Sequence, residues 1–306
     1  MKLAFLISAH TDAPQLTRLI KALPNDSLFY IHIDQKAELS VFEQALKGND
    51  RVRFLSHRVN VVWGSINEVE YQMELIRAAL GEGTPFDYLI TLSGMDYPLW
   101  SKERITAFFQ EANGQEYLCG TDITWQDKPS RLYRQYRLLA ERPWKNGSLK
   151  SKFRVALRHL LVASGVRKPL VFKAGDKEYH LYKGAAWWAI TPQLASFVLK
   201  EWDENESLVK YFRTSFCPAE TFIQTVVFNS EWKAKCLEQT TAWKSLEALT
   251  PLTYIYYHPV IKTLTEEDYD TIMSSNKMFA RKLQSGVSEG LIAMIDKQLY
   301  PNTPTP

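Results

Sequence analysis

Three carboxylates in this chain occupy positions where an acidic side chain could do chemistry. Asp34 ends the apolar run LFYIHI, Asp96 follows the run DYLITLS in the segment SGMDYP, and Glu220 lies in CPAETFIQ. In an open α/β sheet, ligands gather beyond the carboxyl ends of the strands, so Asp34 can accept hydrogen bonds from a ligand amide or hydroxyl. A carboxylate such as Glu220 can take the proton of an attacking hydroxyl.

Each of these carboxylates also has a structural explanation. Asp34 could cap the helix predicted over AELSVFEQAL, and Glu220, in the first turn of a predicted helix, could stabilise the helix dipole. Asp96 either contacts a bound molecule or fixes its own turn. Divalent cations prefer several oxygen ligands, and Asp96 is the single carboxylate of its turn. The turn is therefore a poor site for Mg²⁺ or Mn²⁺.

Apolar runs and helical spacing alternate over the first hundred residues. The runs at 3–8 and 28–33 indicate buried parallel strands, and PQLTRLIKAL between them has helical spacing. A helix (VFEQALKG), a strand (RVRFLS), a long helix (INEVEYQMELIRAALG) and a strand (DYLITLS) follow. This alternation predicts an α/β fold with a Rossmann-like mixed sheet flanked by helices. Neither GxGxxG after the first strand nor GxxxxGK[ST] occurs, which argues against dinucleotide-binding and P-loop proteins.

The remaining predicted elements follow residue 180. They are a strand in YKGAAWWAI, helices in TPQLASFVLKEW and PAETFIQTVVFNS, a strand in LTYIYYH and a final helix that includes TEEDYDTIMSS. Because no repeat or linker separates the parts of the chain, we predict one domain.

Positive charge is concentrated in residues 128–177, which we call the basic segment. It carries fourteen Lys and Arg residues against two acids, Glu141 and Asp176, although the formal net charge of the whole chain is only +3. This segregation indicates an anionic partner. Aromatic residues among the cations make nucleic acid one candidate, but no recognition motif is present, and we expect no nucleic-acid partner.

The basic segment includes an amphipathic stretch, LKSKFRVALRHLLVASG. Its apolar face is predicted to consist of Leu149, Phe153, Leu157, Leu160 and Leu161. Such a helix can lie in a membrane interface beside anionic headgroups. The more common alternative is that the apolar face packs on the protein core.

Cysteine usage and the N-terminus indicate the compartment. Cys119, Cys217 and Cys236 are odd in number and widely spaced, so they form neither a disulfide framework nor a zinc pattern. The N-terminal segment MKLAFLISAHTDAP has too few consecutive apolar residues for a secretory signal. No segment reaches the roughly 20 apolar residues of a membrane span. We expect a cytoplasmic, bacterial protein, peripheral to the inner face of the membrane if the amphipathic helix binds there.

Five segments resemble the core-2/I-branching N-acetylglucosaminyltransferase family, which includes the peptide O-xylosyltransferases. In chain order they are FLISAHTDAPQLTRLIKAL, FYIHIDQKA, RVNVVWGSINEVE, DYLITLSGMDYPL, and CPAETFIQTV together with HPVIKTLTEEDYDTIMSSNKMFARKL. The resemblance implies a GT-A type glycosyltransferase fold, a UDP-sugar donor and inversion at the anomeric carbon. It also implies catalysis without a metal ion or other cofactor.

On this basis the predicted domain, residues 1–306, is a single GT-A type catalytic domain. Residues 1–125 would form its nucleotide-binding half, 126–180 a basic insertion, and 181–306 its acceptor-binding and catalytic half.

The resemblance also implies roles for individual residues. Asp34 matches the aspartate that holds the uridine. Glu220 matches the catalytic base, although Ala219 replaces the acid that precedes the base in the family. Metal-dependent GT-A enzymes carry a DxD motif in the region of Asp96, where this chain has one carboxylate.

Basic side chains must then neutralise the leaving diphosphate. Lys282 in FARKL matches the family's lysine for this role, and Arg281 adjoins it. The second basic residue of the family is matched most nearly by Lys262. Solvated surface charges are the alternative for these residues.

The acceptor-binding residues are matched less clearly. The candidates are Arg131, Arg134, Trp188, Tyr254 and Tyr256. The two arginines share a helical face, and the two tyrosines, two apart on a predicted strand, could form an aromatic platform for a sugar. Only one of Trp187 and Trp188 can face a site from a strand. Core packing is an equal alternative for the aromatic residues.

The predicted activity is transfer of N-acetylglucosamine or xylose from a UDP-sugar to the hydroxyl of a glycan or lipid-linked glycan, in bacterial surface glycan synthesis. The alternative is a catalytically inactive protein that binds nucleotide sugars or carbohydrate. Loss of the carboxylate at position 220 would favour that alternative, and Glu220 is present.

Overall fold

The strands are short, and each described strand belongs to one of four sheets. The computed structural model describes residues 1–241, 245–258 and 260–301. Within these ranges the strands, in chain order, are β1 Leu3–Ala9, β2 Leu28–Ile33, β3 Val52–Phe54, β4 Tyr88–Ser93, β5 Asp96–Pro98, β6 Cys119–Asp122, β7 Val171–Ala174, β8 Lys177–His180, β9 Tyr182–Gly184, β10 Ala189–Ile190, β11 Leu237–Glu238, β12 Thr253–Ile255 and β13 Phe279–Arg281.

Helices cover the sheets on both sides. In the same ranges they are α1 Ala13–Ala22, α2 Leu39–Ala45, α3 Asn67–Gly81, α4 Lys102–Gln110, α5 Asp127–Tyr133, α6 Leu149–Ala163, α7 Pro192–Glu204, α8 Glu206–Arg213, α9 Phe222–Phe228, α10 Tyr269–Ser274 and α11 Glu289–Leu299.

The main sheet has the strand order β10-β4-β1-β2-β3. Its strands β1 to β4 are parallel, and β10 joins the β4 edge in antiparallel orientation. β1 is buried along nearly its whole length because helices cover both faces, which explains why its sequence is a continuous apolar run. The predicted α/β class with a Rossmann-like mixed sheet flanked by helices is confirmed.

Three smaller sheets surround this one. Their orders are β11-β6-β9, β12-β13-β5 and β7-β8. In the second of them β5 and β13 are antiparallel and bring Asp96 opposite Arg281. The turn predicted for SGMDYP is therefore confined to its first residues, since Asp96 already belongs to β5.

Several predicted elements of the second half are divided in the structure. YKGAAWWAI forms β9 and β10 in different sheets, because the Thr91 hydroxyl accepts a hydrogen bond from Trp188 N (2.9 Å) and donates one to the Ala186 carbonyl (2.8 Å). PAETFIQTVVFNS forms a 3₁₀ turn, Pro218–Glu220, followed by α9.

The C-terminal part departs furthest from the sequence-based prediction. TEEDYDTIMSS divides into a 3₁₀ turn, Glu266–Asp268, and α10, and it is not the final helix, because α11 follows. Arg281 does not simply follow a helix but ends β13.

The apolar face of α6 is exposed. Leu149, Phe153 and Leu160 have 84%, 59% and 65% of their surface accessible, and Ser151 is the buried residue of this helix. Leu157 and Leu161 of the same predicted face are half-buried, so the alternative in which the whole face packs on the core is not what the structure shows. Within the described part of the chain, no helix combines the length and apolarity that crossing a bilayer would require.

Candidate active site

A cavity of about 530 Å³, which we call the main cavity, lies at the carboxyl ends of β1, β2 and β4. Its lining includes Asp34, Glu68, Trp187, Glu220 and Arg281. These residues come from five separate parts of the chain, and the topology rather than sequence proximity brings them together. This is the edge at which open α/β sheets bind ligands.

Glu220 reaches the main cavity from the end of the 3₁₀ turn that precedes α9. The turn begins after Cys217, whose φ of 44° lies in the left-handed region. Side chains other than glycine avoid this region, and such conformations cluster at functional sites. The Glu220 side chain is 29% exposed, so it is available to a ligand in the cavity.

Lys183 on β9 forms an ion pair with Glu220. Its side chain is only 5% exposed, and its ammonium lies 5.8 Å from the centre of the Tyr133 ring. Burial acts to lower the pKa of Lys183, but the charge of Glu220 and the Tyr133 hydroxyl outweigh burial and raise it. Lys183 is therefore charged and holds the Glu220 carboxylate in a fixed orientation.

The strand that carries Lys183 is held close to its neighbour by Gly184. A Cβ atom at this position would lie 2.2 Å from the Cys119 carbonyl oxygen and 2.8 Å from the Gln224 side chain. Only glycine permits this approach of β6 to β9, so position 184 fixes the depth at which Lys183 meets Glu220.

Glu68 is a third carboxylate in the main cavity, beside Asp34 and Glu220, and the sequence analysis missed it. It lies in the first turn of α3, and its Oε2 accepts a hydrogen bond from Gly64 N (2.8 Å). Burial raises the pKa of Glu68 to about 7, with a further contribution from the charge of Glu220, while the Gly64 hydrogen bond opposes the shift. The cavity thus contains a carboxyl group that titrates near neutral pH. Glutamates are common in the first turn of a helix, so nothing in the sequence marks Glu68 as a functional residue.

His32 and Tyr71 form a wall of the main cavity. Their rings are stacked with centroids 5.0 Å apart, and His32 Nε2 accepts a hydrogen bond from Val59 N (2.9 Å). Burial lowers the pKa of His32 to about 4 and outweighs the opposing charge of Asp34. The wall is therefore neutral and flat, which suits a stacked ring of a ligand.

Asp34 lies at the rim of the same cavity. Its Oδ1 accepts a hydrogen bond from Lys36 N (3.0 Å), and its Oδ2 lies 3.1 Å from Lys36 Nζ. The following helix, α2, has Glu38 at its N-cap position without a side-chain cap bond. The helix-cap alternative for Asp34 is therefore wrong, and its carboxylate keeps acceptor capacity for a ligand.

Asp96 lies behind the cavity wall and is fully buried. It accepts hydrogen bonds from Ser93 N (2.8 Å), Trp187 Nε1 (3.2 Å) and Arg281 Nη1 (3.0 Å). Of the two interpretations of Asp96, this geometry matches the one in which it fixes its turn. It also orients Trp187 and Arg281, which do line the cavity.

The three predicted diphosphate-binding cations lie on adjacent backbone segments. Lys262 and Lys282 are linked by the bond from Lys282 N to the Lys262 carbonyl (3.4 Å), and Leu264 N bonds to the Lys282 carbonyl (2.9 Å). Lys262 Nζ pairs with Asp268 (2.7 Å). Within the described ranges, no hydrogen bond or ion pair holds the Lys282 ammonium. Arg281 lines the main cavity, whereas Lys262 and Lys282 lie outside its lining.

The predicted acceptor-binding residues are not gathered at the main cavity. Trp188 is 1% exposed and belongs to the core, while its neighbour Trp187 lines the cavity. The choice of Trp188 is therefore wrong, because the break between β9 and β10 turns the other indole towards the site.

The aromatic platform predicted on β12 is also absent. Tyr254 is 8% exposed and packs in the core, whereas Tyr256 is 48% exposed. β12 ends at Ile255, so the strand alternation that would place both rings on one face stops between them. Arg131 is exposed and Arg134 half-buried, and neither lines the main cavity.

A second cavity of about 560 Å³, which we call the basic cavity, adjoins the main one. The two share Lys36, Val61 and Trp63 in their linings. Arg137 and Arg158 of the basic segment line it. The two cavities thus form one cleft. Among the described residues, the three carboxylates and Arg281 line its main-cavity side, whereas the charged side chains that line its other side are all cationic.

The main cavity, at the carboxyl ends of parallel strands and lined by Glu220 and Arg281, is typical of a ligand site in an open α/β protein. A model of the Core-2/I-Branching enzyme family matches residues 3–273. The chain therefore belongs to the Core-2/I-Branching enzyme family.

Individual relatives agree with this membership. Human xylosyltransferase 2 is 24% identical over 321 residues, which cover 99% of this chain and 34% of the relative. Rat xylosyltransferase 1 is 24% identical over 322 residues, covering 99% of this chain and 36% of the relative. The chain thus spans about a third of the length of these relatives.

Solved structures with similar folds include two sugar transferases. Galactosyltransferase LgtC has a TM-score of 0.39 and 11% identity, over 100% of this chain and 98% of that chain. Mouse xyloside xylosyltransferase 1 has a TM-score of 0.35 and 10% identity, over 92% of this chain and 97% of that chain.

Proposed function

We propose that this protein is an inverting glycosyltransferase that uses a UDP-sugar and works without a metal ion. The acceptor oxygen attacks the anomeric carbon from the face opposite UDP, and Glu220 takes the proton of the acceptor hydroxyl. The bond between the anomeric carbon and the diphosphate oxygen breaks as the new bond forms, and UDP leaves as the anion. One base suffices for this single displacement.

The observation that carries the proposal is the Glu220–Lys183 ion pair at the wall of the main cavity. A base must be positioned as well as present, because proton transfer depends on geometry before pKa. Lys183 restrains the carboxylate from a buried position, and the exposed part of Glu220 is directed to the space that a substrate would occupy.

The donor is proposed to lie across the carboxyl ends of β1 and β2. Asp34 would accept hydrogen bonds from the uridine, and the neutral wall of His32 and Tyr71 lies beside it. The diphosphate would lie towards Arg281 and Lys282, with Lys262 reaching it if the Asp268 pair opens. No cofactor is needed beyond the UDP-sugar, which is a substrate.

The family of the chain and the volume of the main cavity both bear on the donor sugar. The family and its named relatives favour N-acetylglucosamine or xylose, and we propose one of these two. The cavity volume of about 530 Å³ is in the range of ligand pockets and is large enough for a nucleotide sugar.

We further propose that α6 lies on an anionic membrane surface. Its exposed apolar residues Leu149, Phe153 and Leu160 accompany the positive charge of the basic segment, a combination typical of interfacial helices. A lipid-linked glycan at the inner face of a bacterial membrane would then be the acceptor, in surface glycan synthesis. Reduced cysteines support a cytoplasmic setting, since all three are free in the structure.

Ligand-induced thermal stabilisation tests the proposal for the donor. UDP, UDP-N-acetylglucosamine and UDP-xylose are added in the presence of EDTA, with GDP and ADP as controls. A ligand at 100 times its Kd adds about 2.7 kcal/mol to the free energy of unfolding, so uridine nucleotides should raise Tm by several degrees while the controls do not. Equal shifts by all nucleotides, or by none, would contradict a UDP-sugar site.

A further inference from the structure

The basic cavity contains guanidinium groups without an acidic counterpart. Arg137, Arg154 and Arg158 contribute to its lining, and no acidic residue lines it within the part of the chain that the structure describes. The nearest acid of the basic segment along the chain, Glu141, pairs instead with Arg213 (3.1 Å). Three clustered positive charges on one wall repel one another, so the cavity is electrostatically prepared for an anion.

Arg137 is the guanidinium most enclosed in this cavity. It lies over the Phe216 ring at 4.6 Å from the centroid, and its Nε is buried without a hydrogen-bond partner in the described parts of the chain. Burial lowers the pKa of Arg137 to about 10, and the charge of Arg158 adds to the effect. A buried donor without a partner is costly, and an anion in the cavity would offset part of this cost by pairing with the guanidinium charge.

Arg154 has a different part in the cavity. Its Nη1 donates to the carbonyls of Leu139 (3.2 Å) and Arg142 (3.3 Å), and its guanidinium lies 5.9 Å from the Trp144 ring centroid. It therefore fixes the loop that forms the cavity wall. Arg137 and Arg158 are left as the cations with free capacity for a ligand.

Aromatic side chains accompany these cations. Trp63 is 78% exposed at the boundary of the two cavities, edge-on to Phe216 at 6.4 Å, and Trp144 forms part of the far wall. Flat apolar rings suit the CH faces of a sugar, while guanidinium forks match the planar oxygens of a carboxylate, phosphate or sulfate. A ligand that satisfies both features is a sugar that carries a negative charge.

We propose that the basic cavity is an acceptor subsite for an anionic sugar residue, held by Arg137 and Arg158 and stacked on Trp63. The inference rests on the proposed function, because it assumes that the neighbouring sugar presents its hydroxyl to Glu220. The continuity of the two cavities over Trp63 places the charged residue next to the one that is modified. Specificity then comes from recognition of charge one sugar away from the reaction.

Binding measurements with matched probes test this subsite. Digalacturonic acid and its methyl ester share one sugar skeleton but only the acid is charged, and glucose 6-phosphate and glucose form a second pair. Isothermal titration of the UDP-saturated protein should give about tenfold or greater preference for the charged member of at least one pair, the size of one charge-assisted hydrogen bond. The pair that is preferred distinguishes a carboxylate from a phosphate.

Variants link the preference to the cavity. Arg137→Gln and, separately, Arg158→Gln should remove most of the preference, while Lys173→Gln, an exposed cation of the same basic segment outside both cavities, should retain it. UDP affinity should remain unchanged in all three variants. Arg158→Gln also keeps the test valid if loss of the more enclosed Arg137 prevents folding.

Other outcomes separate this inference from the proposed function. Loss of UDP binding in the arginine variants would assign the cavity to the donor diphosphate and overturn the proposal. Equal binding of charged and neutral probes, or binding of inorganic phosphate as tight as that of glucose 6-phosphate, would also overturn it. If the parent protein binds no UDP, titration without nucleotide still measures the charge preference, so the two proposals fail independently.

Discussion

In the proposed mechanism Glu220 is the base and Lys183 its positioning residue, and their ion pair is buried on the lysine side. Lys183 is almost fully buried, so removing its partner would leave an unpaired charge in the protein. The pair therefore links the chemistry of the site to its stability. A change at position 220 must be interpreted through both activity and folding.

Glu220→Gln should lower kcat by about 10²–10⁴, the usual contribution of a general base. UDP affinity should change little, because the nucleotide is expected at Asp34. Steady-state turnover and UDP titration measure the two quantities, and Glu204→Gln, at an exposed glutamate paired only with Lys200, is the matched control. Turnover of Glu220→Gln within a few-fold of the parent would remove Glu220 from the role.

Glu68 should give the protein a pH-dependent stability term. Its pKa of about 7 in the folded protein lies above the ordinary glutamate value of 4.5, so between these values the native state binds more protons than the unfolded state. The free energy of unfolding therefore falls as pH rises from about 4.5 to 7, by up to about 3 kcal/mol at 1.36 kcal/mol per pKa unit.

Glu68→Gln removes this titration while keeping an oxygen for the Gly64 hydrogen bond. Relative to the parent, the variant should gain stability as pH rises from 4.5 to 8, and the gain should level off above pH 7. Urea unfolding at several pH values measures the difference. A difference that does not change with pH would show that Glu68 titrates normally.

The elements of the first hundred residues could be predicted because each is long enough to show its period. β1, β2, β4 and the intervening helices follow apolar runs and helical spacing in the sequence. β5 and β13 could not be predicted, since each has three residues and exists because of pairing between positions 96 and 281. At this pairing the Asp96 carboxylate accepts hydrogen bonds from Arg281 and Trp187, and both of these residues line the main cavity.

The residues of the candidate site could likewise be predicted only in part. Asp34 and Glu220 were found from strand ends and from the resemblance, and both line the main cavity. Glu68 and Lys183 lie in sequence contexts that are common in helices and strands, and their meaning comes from burial beside Glu220. Trp188 was wrongly chosen over Trp187, because the strand break that decides between them depends on Thr91 in a distant strand.

The α6 helix presents cavity-lining cations on one face and exposed apolar residues on another. Arg154 and Arg158 line the basic cavity, whereas Leu149, Phe153 and Leu160 are exposed. Membrane binding through the second face should therefore be separable from acceptor binding through the first.

Flotation with phosphatidylglycerol vesicles at low salt tests the membrane face. The parent should float with anionic vesicles and not with phosphatidylcholine vesicles, because basic residues contribute about 1 kcal/mol each near an anionic surface. Replacing Leu149, Phe153 and Leu160 by Ser should abolish flotation without altering UDP affinity. A parent protein that stays in the dense fraction would indicate a soluble acceptor and another role for the exposed face.

In the folded molecule, the positive charge of the basic segment lines one end of the cleft, so the two ends differ in their chemistry. The diphosphate is expected at the end near Arg281 and Lys282, and the acceptor charge at the end near Arg137. Because long-range packing brings these ends together, the sequence predicts that positive charge is concentrated in one segment but not where that segment lies in the folded cleft.

Lys282→Ala tests how the diphosphate is neutralised. The loss of one charge-assisted hydrogen bond should weaken UDP binding by about 1.5–3 kcal/mol, whereas uridine without phosphates should bind equally to both proteins. Titration calorimetry measures both ligands, and Lys173→Ala is the control for net charge. Unchanged UDP affinity would place the diphosphate elsewhere.

The central claim is metal-independent transfer from a UDP-sugar with Glu220 as the base, and UDP release in EDTA tests it most directly. The parent protein is incubated with UDP-N-acetylglucosamine or UDP-xylose and a mixture of acidic oligosaccharides, and released UDP is measured with and without EDTA. We expect turnover of one of the two donors. EDTA should not change this turnover, and Glu220→Gln should reduce it by a factor of about 10² or more. Turnover that requires added Mn²⁺, or that is unaffected by the substitution at Glu220, would contradict it.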